Sequence, residues 1–256
     1  MGEGMREKFK AAGIHFLVGL VLLSAVFCLI YFVWYPAPFY QLSGGQDLME
    51  LIFGVDLILG PLLTWVVFNK KKPLRTNLLD VAAIACVQLA ALGYGVYTVL
   101  QARPVFLGFE YYRFRVVHAN EPDPQEMRKA IAVIPHGLPL WGPKMLGLRK
   151  PANNQEQTSS TMLALGGISE AAQANLWVPY EKVEPKVLAQ AHPVQRLIDR
   201  FPNQADKIQK LLADHQLALE DAVYVPLIVK DAFWTVVLDK NQLDKPYYLD
   251  IDSFEN

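Results

Sequence analysis

The hydrophobic residues of this chain fall into two unlike regimes. Up to Leu100 they run in long blocks, whereas beyond it they break into short clusters separated by charge, proline and glycine. Blocks at residues 11–35, 47–69 and 78–101 each reach the ~20 apolar residues that a helix needs to cross a hydrocarbon core. They predict three transmembrane helices, the last two forming a hairpin about a short basic turn, residues 70–77, that carries Lys70, Lys71, Lys72 and Arg75. Excess Lys and Arg marks the cytoplasmic side of a membrane. The turn and the tail, residues 1–10, are therefore expected inside and residues 102–256 outside, which for a bacterial inner membrane is the periplasm. The first block is span-length, ends in Trp34-Tyr35-Pro36 and has no small-residue cleavage site after it, so it is expected to remain as an anchor.

The exported part predicts an α+β domain with a small antiparallel sheet. Residues 105–117 are dense in aromatic and β-branched side chains and predict one strand. A helix is expected over 123–131, and a loop over 135–151, where Pro135, Gly137, Pro139, Gly142, Pro143 and Gly147 punctuate an apolar tip, Leu140-Trp141. Helices are expected over 155–165 and 193–212, the second interrupted at Phe201-Pro202. Three short strands follow, over 222–229, 233–238 and 247–251, with turns at Lys230-Asp231 and Asp239-Lys240-Asn241.

Composition narrows the possible functions. A formal charge of −1 gives no reason to expect a nucleic-acid partner. Cys28 and Cys86 both fall inside predicted spans, which leaves the exported domain without a thiol for a disulfide or a metal. His118, His136, His192 and His215 never occur at the i, i+4 spacing that sets two imidazoles on one helix face, and are read as surface histidines. No nucleophile elbow, phosphate loop or Ser-x-x-Lys dyad is present. The sequence thus predicts no catalytic residue, no metal and no cofactor.

Polar residues inside the spans need a reason, because a mid-helix charge costs about 2.5–3.5 kcal/mol on insertion scales. Asp56 lies ~14 Å down its helix from Asp47, close to the midplane. Folding back at Pro73 brings Gln88 to a similar depth, where a carboxyl–amide bond is geometrically feasible. Such a pair either glues two helices together or receives a partner. Gly60-Pro61 is expected to bend the second span, since proline lacks the N–H that would take the carbonyl of Leu57. His15 and Asp80, at comparable depth, are candidates for an ion pair. Ala91 and Gly95 offer a small-residue face for close helix packing. Trp141 has two readings, burial in the core and contact with a partner.

Several of these motifs, in order and at their spacing, carry a family resemblance. They are Tyr35-Pro-Ala-Pro-Phe39, Gly54-Val-Asp56-Leu-Ile-Leu-Gly60-Pro61-Leu-Leu-Thr64, Asp80, Gln88, Ala91-Leu-Gly-Tyr94-Gly95, Arg103-Pro104-Val-Phe and Arg113-Phe-Arg-Val-Val-His-Ala-Asn-Glu121. Together they resemble the TfpX/TfpZ family of type IV pilin accessory proteins, closely over the first half of the chain and loosely over the rest. The resemblance implies a non-enzymatic role in pilus biogenesis at the inner membrane. Its implied partners are a type IV major pilin, membrane lipid and other inner-membrane pilus assembly components. On this view Asp56, Gly60, Pro61, Gln88 and Trp141 are the candidate partner-binding residues, and His15, Asp80, Ala91 and Gly95 the helix-packing ones. Two alternatives stay open: a signalling subunit sensing a periplasmic ligand, and a small oligomeric transporter or proton channel around Asp56.

Overall fold

The computed structural model describes residues 2–230 and 232–254. The chain divides into two compact units, Met1–Arg103 and Pro104–Asn256.

The first unit is helical. Helix α1 (Gly2–Leu29) runs on through a π turn, Ile30–Trp34. A short α2 (Phe39–Leu42) leads to α3 (Gly45–Gly54), a π stretch Val55–Leu59, and α4 (Gly60–Val67). Helix α5 (Leu74–Ala102) completes the unit. Among the described residues three stretches are long and apolar enough to cross a membrane: Gly4–Trp34, Gly45–Val67 and Leu74–Ala102. The second of these is the middle member, with α1 packed along α4 and α5 packed against α3 and α4.

Polar bonds tie these helices at both ends. At one end Tyr35, wholly buried, donates its hydroxyl to the carbonyl of Val99 at 3.1 Å. Its position among the aromatic residues at the close of the first span predicts a headgroup-facing ring, yet it is a packing residue linking the first and third spans. At the other end the side chain of Asn77 accepts from the Asn69 N–H at 3.0 Å and donates to the Asn69 carbonyl at 2.7 Å, closing the basic turn. Lys72 adds an ion pair to Asp80 at 2.7 Å.

The second unit differs from the small antiparallel sheet expected. It holds an eight-stranded mixed sheet, curled into a half-barrel. Its strands are β1 (Pro104–Glu110), β2 (Arg113–His118), β3 (Lys144–Leu148), β4 (Trp177–Val178), β5 (His192–Pro193), β6 (Ala222–Val229), β7 (Ala232–Asp239) and β8 (Gln242–Leu249). The order across the sheet is β4-β3-β1-β2-β6-β7-β8, with β5 paired to β6. β1 runs parallel to β3, and β2 parallel to β6. The second parallel pair joins the early hairpin to the carboxyl-terminal meander, making one sheet of two regions that sequence alone leaves separate.

The single strand expected over 105–117 folds back on itself. Glu110 pairs with Arg113, leaving a two-residue turn in which Tyr111 adopts φ 56°. A hairpin turn of this kind favours glycine at that position, so the turn carries no ordinary sequence signal. Side chains hold it instead: Glu110 accepts from Arg113 Nε and Arg115 Nε, both at 3.0 Å, and Tyr111 donates to Glu170. Strand β3 is likewise hidden within the proline- and glycine-punctuated loop. A Cβ on Gly147 would stand 2.8 Å from Val183 Cγ2 and 3.0 Å from the Pro179 carbonyl, so that glycine is a close approach inside a strand.

Helices α6 (Pro124–Lys129), α7 (Asn154–Leu165), α8 (Glu184–Gln190), α9 (Val194–Arg200) and α10 (Ala205–Asp214) accompany the sheet. The break at Phe201-Pro202 separates α9 from α10. One core joins Phe106, Val117, Leu146 and Trp177 with Ala130 and Ile134; another joins Tyr224, Val237 and Leu249 with Leu197, Ile208 and Leu212. The β6–β7 hairpin turns beside Lys230, at φ 46°; its other expected turn residue, Asp231, lies outside the described residues. β8 begins at Gln242, earlier than expected, because Asp239 already pairs with it across a tight turn.

One charged clamp makes this unit sensitive to acid. Arg149 grips Glu156 with both terminal nitrogens, at 2.9 and 2.6 Å, while Glu156 also accepts from the Ala152 N–H and the Asn175 amide. The Arg149 hydrogen bond, then that of Ala152, holds the Glu156 carboxyl down at about 2. A depressed carboxyl adds stability above its unfolded value, ordinarily near 4.5, and loses it as pH falls toward about 2. Glu156→Gln should therefore cost about 1 kcal/mol at neutral pH, discounted for partial exposure. In thermal unfolding of the full chain in detergent, the gap from wild type should close between pH 4.5 and 2. A gap that does not change with pH would disprove the clamp's role.

Candidate functional site

The site is assembled in the first unit around a break in the second span. In a π register each carbonyl faces the N–H five residues on, so the carbonyl of Asp56 faces residue 61, and Pro61 has no N–H to offer. The freed acceptor is therefore that of Asp56 rather than Leu57, the residue that a regular α-helix predicts. Gln88 of α5 fills the vacancy: its Nε2 donates to the Asp56 carbonyl at 3.1 Å. Gly60 makes room for it, since a Cβ there would stand 2.1 Å from Gln88 Nε2 and 2.8 Å from its Cδ. Gly60, Pro61, Asp56 and Gln88 thus act as one unit, though not through the carboxyl–amide bond expected. The carboxylate of Asp56 is left over. Its Oδ1 and the Oε1 of Gln88 are both buried without a hydrogen-bond partner.

Two apolar grooves meet at Asp56. The first, of about 140 Å³, lies between the first and third spans, with His15, Gly19 and Leu22 on one wall and Ala85, Gln88 and Leu89 on the other. The second, of about 270 Å³, lies between the second and third spans and is lined by Ala91, Gly95 and Thr98. Ala91 and Gly95, the expected small-residue face, both border this groove. At Gly95 a Cβ would come within 3.1 Å of Ile52, yet the stripe also leaves an open groove beside it.

The proposed His15–Asp80 pair does not form. His15 Nδ1 lies 2.7 Å from the hydroxyl of buried Thr64, linking the first span to the second, while Asp80 takes Lys72. Lys72 belongs to the basic turn, nearer in chain and depth to Asp80 than His15 is. Trp141 is 71% exposed and its neighbour Leu140 57% exposed, which removes core burial as its role. His118 is no surface residue: it is 3% exposed and its Nδ1 lies 2.9 Å from Glu121. Among the described residues no group of three or more His, Cys, Asp and Glu side chains could hold a metal.

The interlock of Gly60 and Gln88 is open to a direct test. Gly60→Ala should push the flexible Gln88 amide off the Asp56 carbonyl and cost about 1 kcal/mol, the worth of one hydrogen bond. Gln88→Ala should cost a similar amount, and the double variant little more than either alone, measured by unfolding in detergent. Additive losses would show that the two residues act independently.

Comparison with known proteins places this architecture. The family model described as "Fimbrial assembly protein FimB" matches residues 3–44. The chain is 34% identical over 248 residues to the fimbrial assembly protein of serogroup I from Dichelobacter nodosus, covering 96% of each chain. It is 32% identical over 248 residues to the serogroup E1 protein of the same organism, again over 96% of each. A third relative, of serogroups C1 and C2, is 41% identical over 112 residues, 44% of this chain and 86% of that one. No solved structure matches the chain. The likeness runs through both units, from the helical hairpin to the curled sheet, and on that ground the chain belongs to the fimbrial assembly protein (FimB) family.

Proposed function

We propose that this protein is a non-enzymatic accessory protein of the bacterial inner membrane that binds a type IV major pilin and presents it for pilus assembly. The observation that carries this reading is the groove between the first and third spans, floored by a mid-span carboxylate with an unpartnered oxygen, in a chain whose full-length relatives are fimbrial assembly proteins. The likeness to TfpX/TfpZ pilin accessory proteins supports pilin as the guest. The pilin's membrane helix lies along the groove, with Asp56 and Gln88 meeting a polar group on it. Leu140-Trp141, an exposed apolar tip of the second unit, is the contact for the pilin's soluble head.

The Asp56 side chain can be tested apart from the fold, because Gln88 holds its backbone carbonyl and not its carboxylate. Asp56→Leu should leave abundance in the membrane intact or raised, since it removes a charged side chain from hydrocarbon, yet reduce pilin recovered by pull-down at least tenfold and cut surface piliation. Asp56→Asn should fall between. Trp141→Ala should also lower pilin recovery at normal abundance. Full recovery and piliation by the Leu variant at normal abundance would overturn the assignment, and transport activity lost with unaltered pilin recovery would favour a channel.

Orientation is part of the proposal: tail and basic turn cytoplasmic, second unit periplasmic. A reporter enzyme active only in the periplasm should be active when fused after Asn256 and silent when fused after Lys72. The reverse pattern would place the second unit in the cytoplasm and remove it from any contact with a pilin head.

A further inference from the structure

A separate feature lies in the second unit. A cleft of about 390 Å³ opens beside the β1–β2 turn, with Leu148, Pro151 and Leu176 among its apolar walls. Five charged side chains line it: Glu110, Glu170, Arg149, Lys150 and Lys186. Three are committed to partners within the fold. Glu110 is held by Arg113, Arg115 and the Ala171 N–H; Glu170 accepts from Tyr111; Arg149 is spent on Glu156, the Asn175 carbonyl and the Lys150 carbonyl. Lys150 and Lys186 are left. Among the described residues neither ammonium has a carboxylate partner, and that of Lys186 lies over the ring of Phe109, 5.7 Å from its centroid.

This arrangement is unfavourable as it stands. Lys186 is half-buried, and burial first, then the charge of Lys150, pushes its ammonium below the ordinary lysine range. Of the two carboxylates lining the cleft, Glu110 is paired with two arginines and Glu170, which keeps its charge, is bound to Tyr111, so the two ammonium groups face the cleft without an ion-pair partner and tilt its charge toward positive in partly apolar surroundings. An anion between them would relieve the repulsion and accept hydrogen bonds from both. Ammonium groups act as point charges, with no fork to select a planar ligand, so the complementary group is a compact oxyanion.

We infer that Lys150 and Lys186 form a binding site for a phosphate or carboxylate oxyanion in the cleft between β3 and α8. The site is independent of the membrane groove and of the pilin reading. In the full chain in uncharged detergent, with lysines reductively labelled by carbon-13 methyl groups, titration with inorganic phosphate or acetate at constant ionic strength should shift the Lys150 and Lys186 signals together and to saturation. The Lys129 signal, from a lysine already paired with Glu126, should stay still. Which of the two anions saturates at lower concentration names the preferred group. Lys186→Gln should weaken the response of Lys150 at least tenfold, and Lys150→Gln should raise the titration midpoint of Lys186, a readout that does not need the ligand. Signals of all lysines drifting in parallel without saturation, or a Lys186 midpoint indifferent to Lys150→Gln, would overturn the site.

Discussion

The first unit depends on one backbone carbonyl. Pro61 ends the π stretch by denying Asp56 its acceptor's partner, and an unpaired carbonyl in hydrocarbon costs several kcal/mol. That deficit makes the contact between the second and third spans specific, because only a donor at the depth of Gln88 and a neighbour as small as Gly60 can meet it together. The bonds toward the ends of the unit, Tyr35 to Val99 and His15 to Thr64, then position the first span. Each pair of spans is thereby joined by a different side-chain bond: first to third by Tyr35, first to second by His15, second to third by Gln88.

The same constraint separates structure from chemistry at one residue. The backbone of Asp56 is consumed in holding the hairpin, while its carboxylate remains unengaged at the meeting of two grooves. A polar side chain kept at that depth without serving the fold is what a site for a partner would require. The family membership supplies the setting, pilus biogenesis, in which the proposed role would operate.

The helical unit was legible because a bilayer imposes a simple rule on sequence: long apolar runs and a basic turn are visible without any knowledge of packing. Asp56, Gly60, Pro61 and Gln88 stood out as polar or helix-breaking letters within those runs, though their bonding depended on a π register that periodicity does not reveal. Depth alone matches His15 with Asp80, whereas lateral position decides their partners, Thr64 and Lys72. The sheet was harder to read. A hairpin turning at Tyr111 without glycine or asparagine gives no turn signal, and β3 is masked by the prolines before it and by Gly147, which lets the chain pass close to Val183. Parallel pairing of β2 with β6 joins residues about a hundred positions apart, a distance over which local propensity carries no information.

The half-barrel has a consequence for how anything can attach to it. Tyr180, just beyond the edge strand β4, donates its hydroxyl to the carbonyl of Leu243 on the opposite edge strand β8 at 3.0 Å. On β8 itself Pro246 offers no N–H. A bare strand edge is the usual template on which an extended chain can zip up backbone to backbone. Here the long edge strand has one carbonyl already taken by Tyr180 and one position without an N–H, and the other edge is a strand of two residues. The domain is thus poorly suited to being recruited into a continuous sheet, which leaves side chains rather than backbone as its means of recognition.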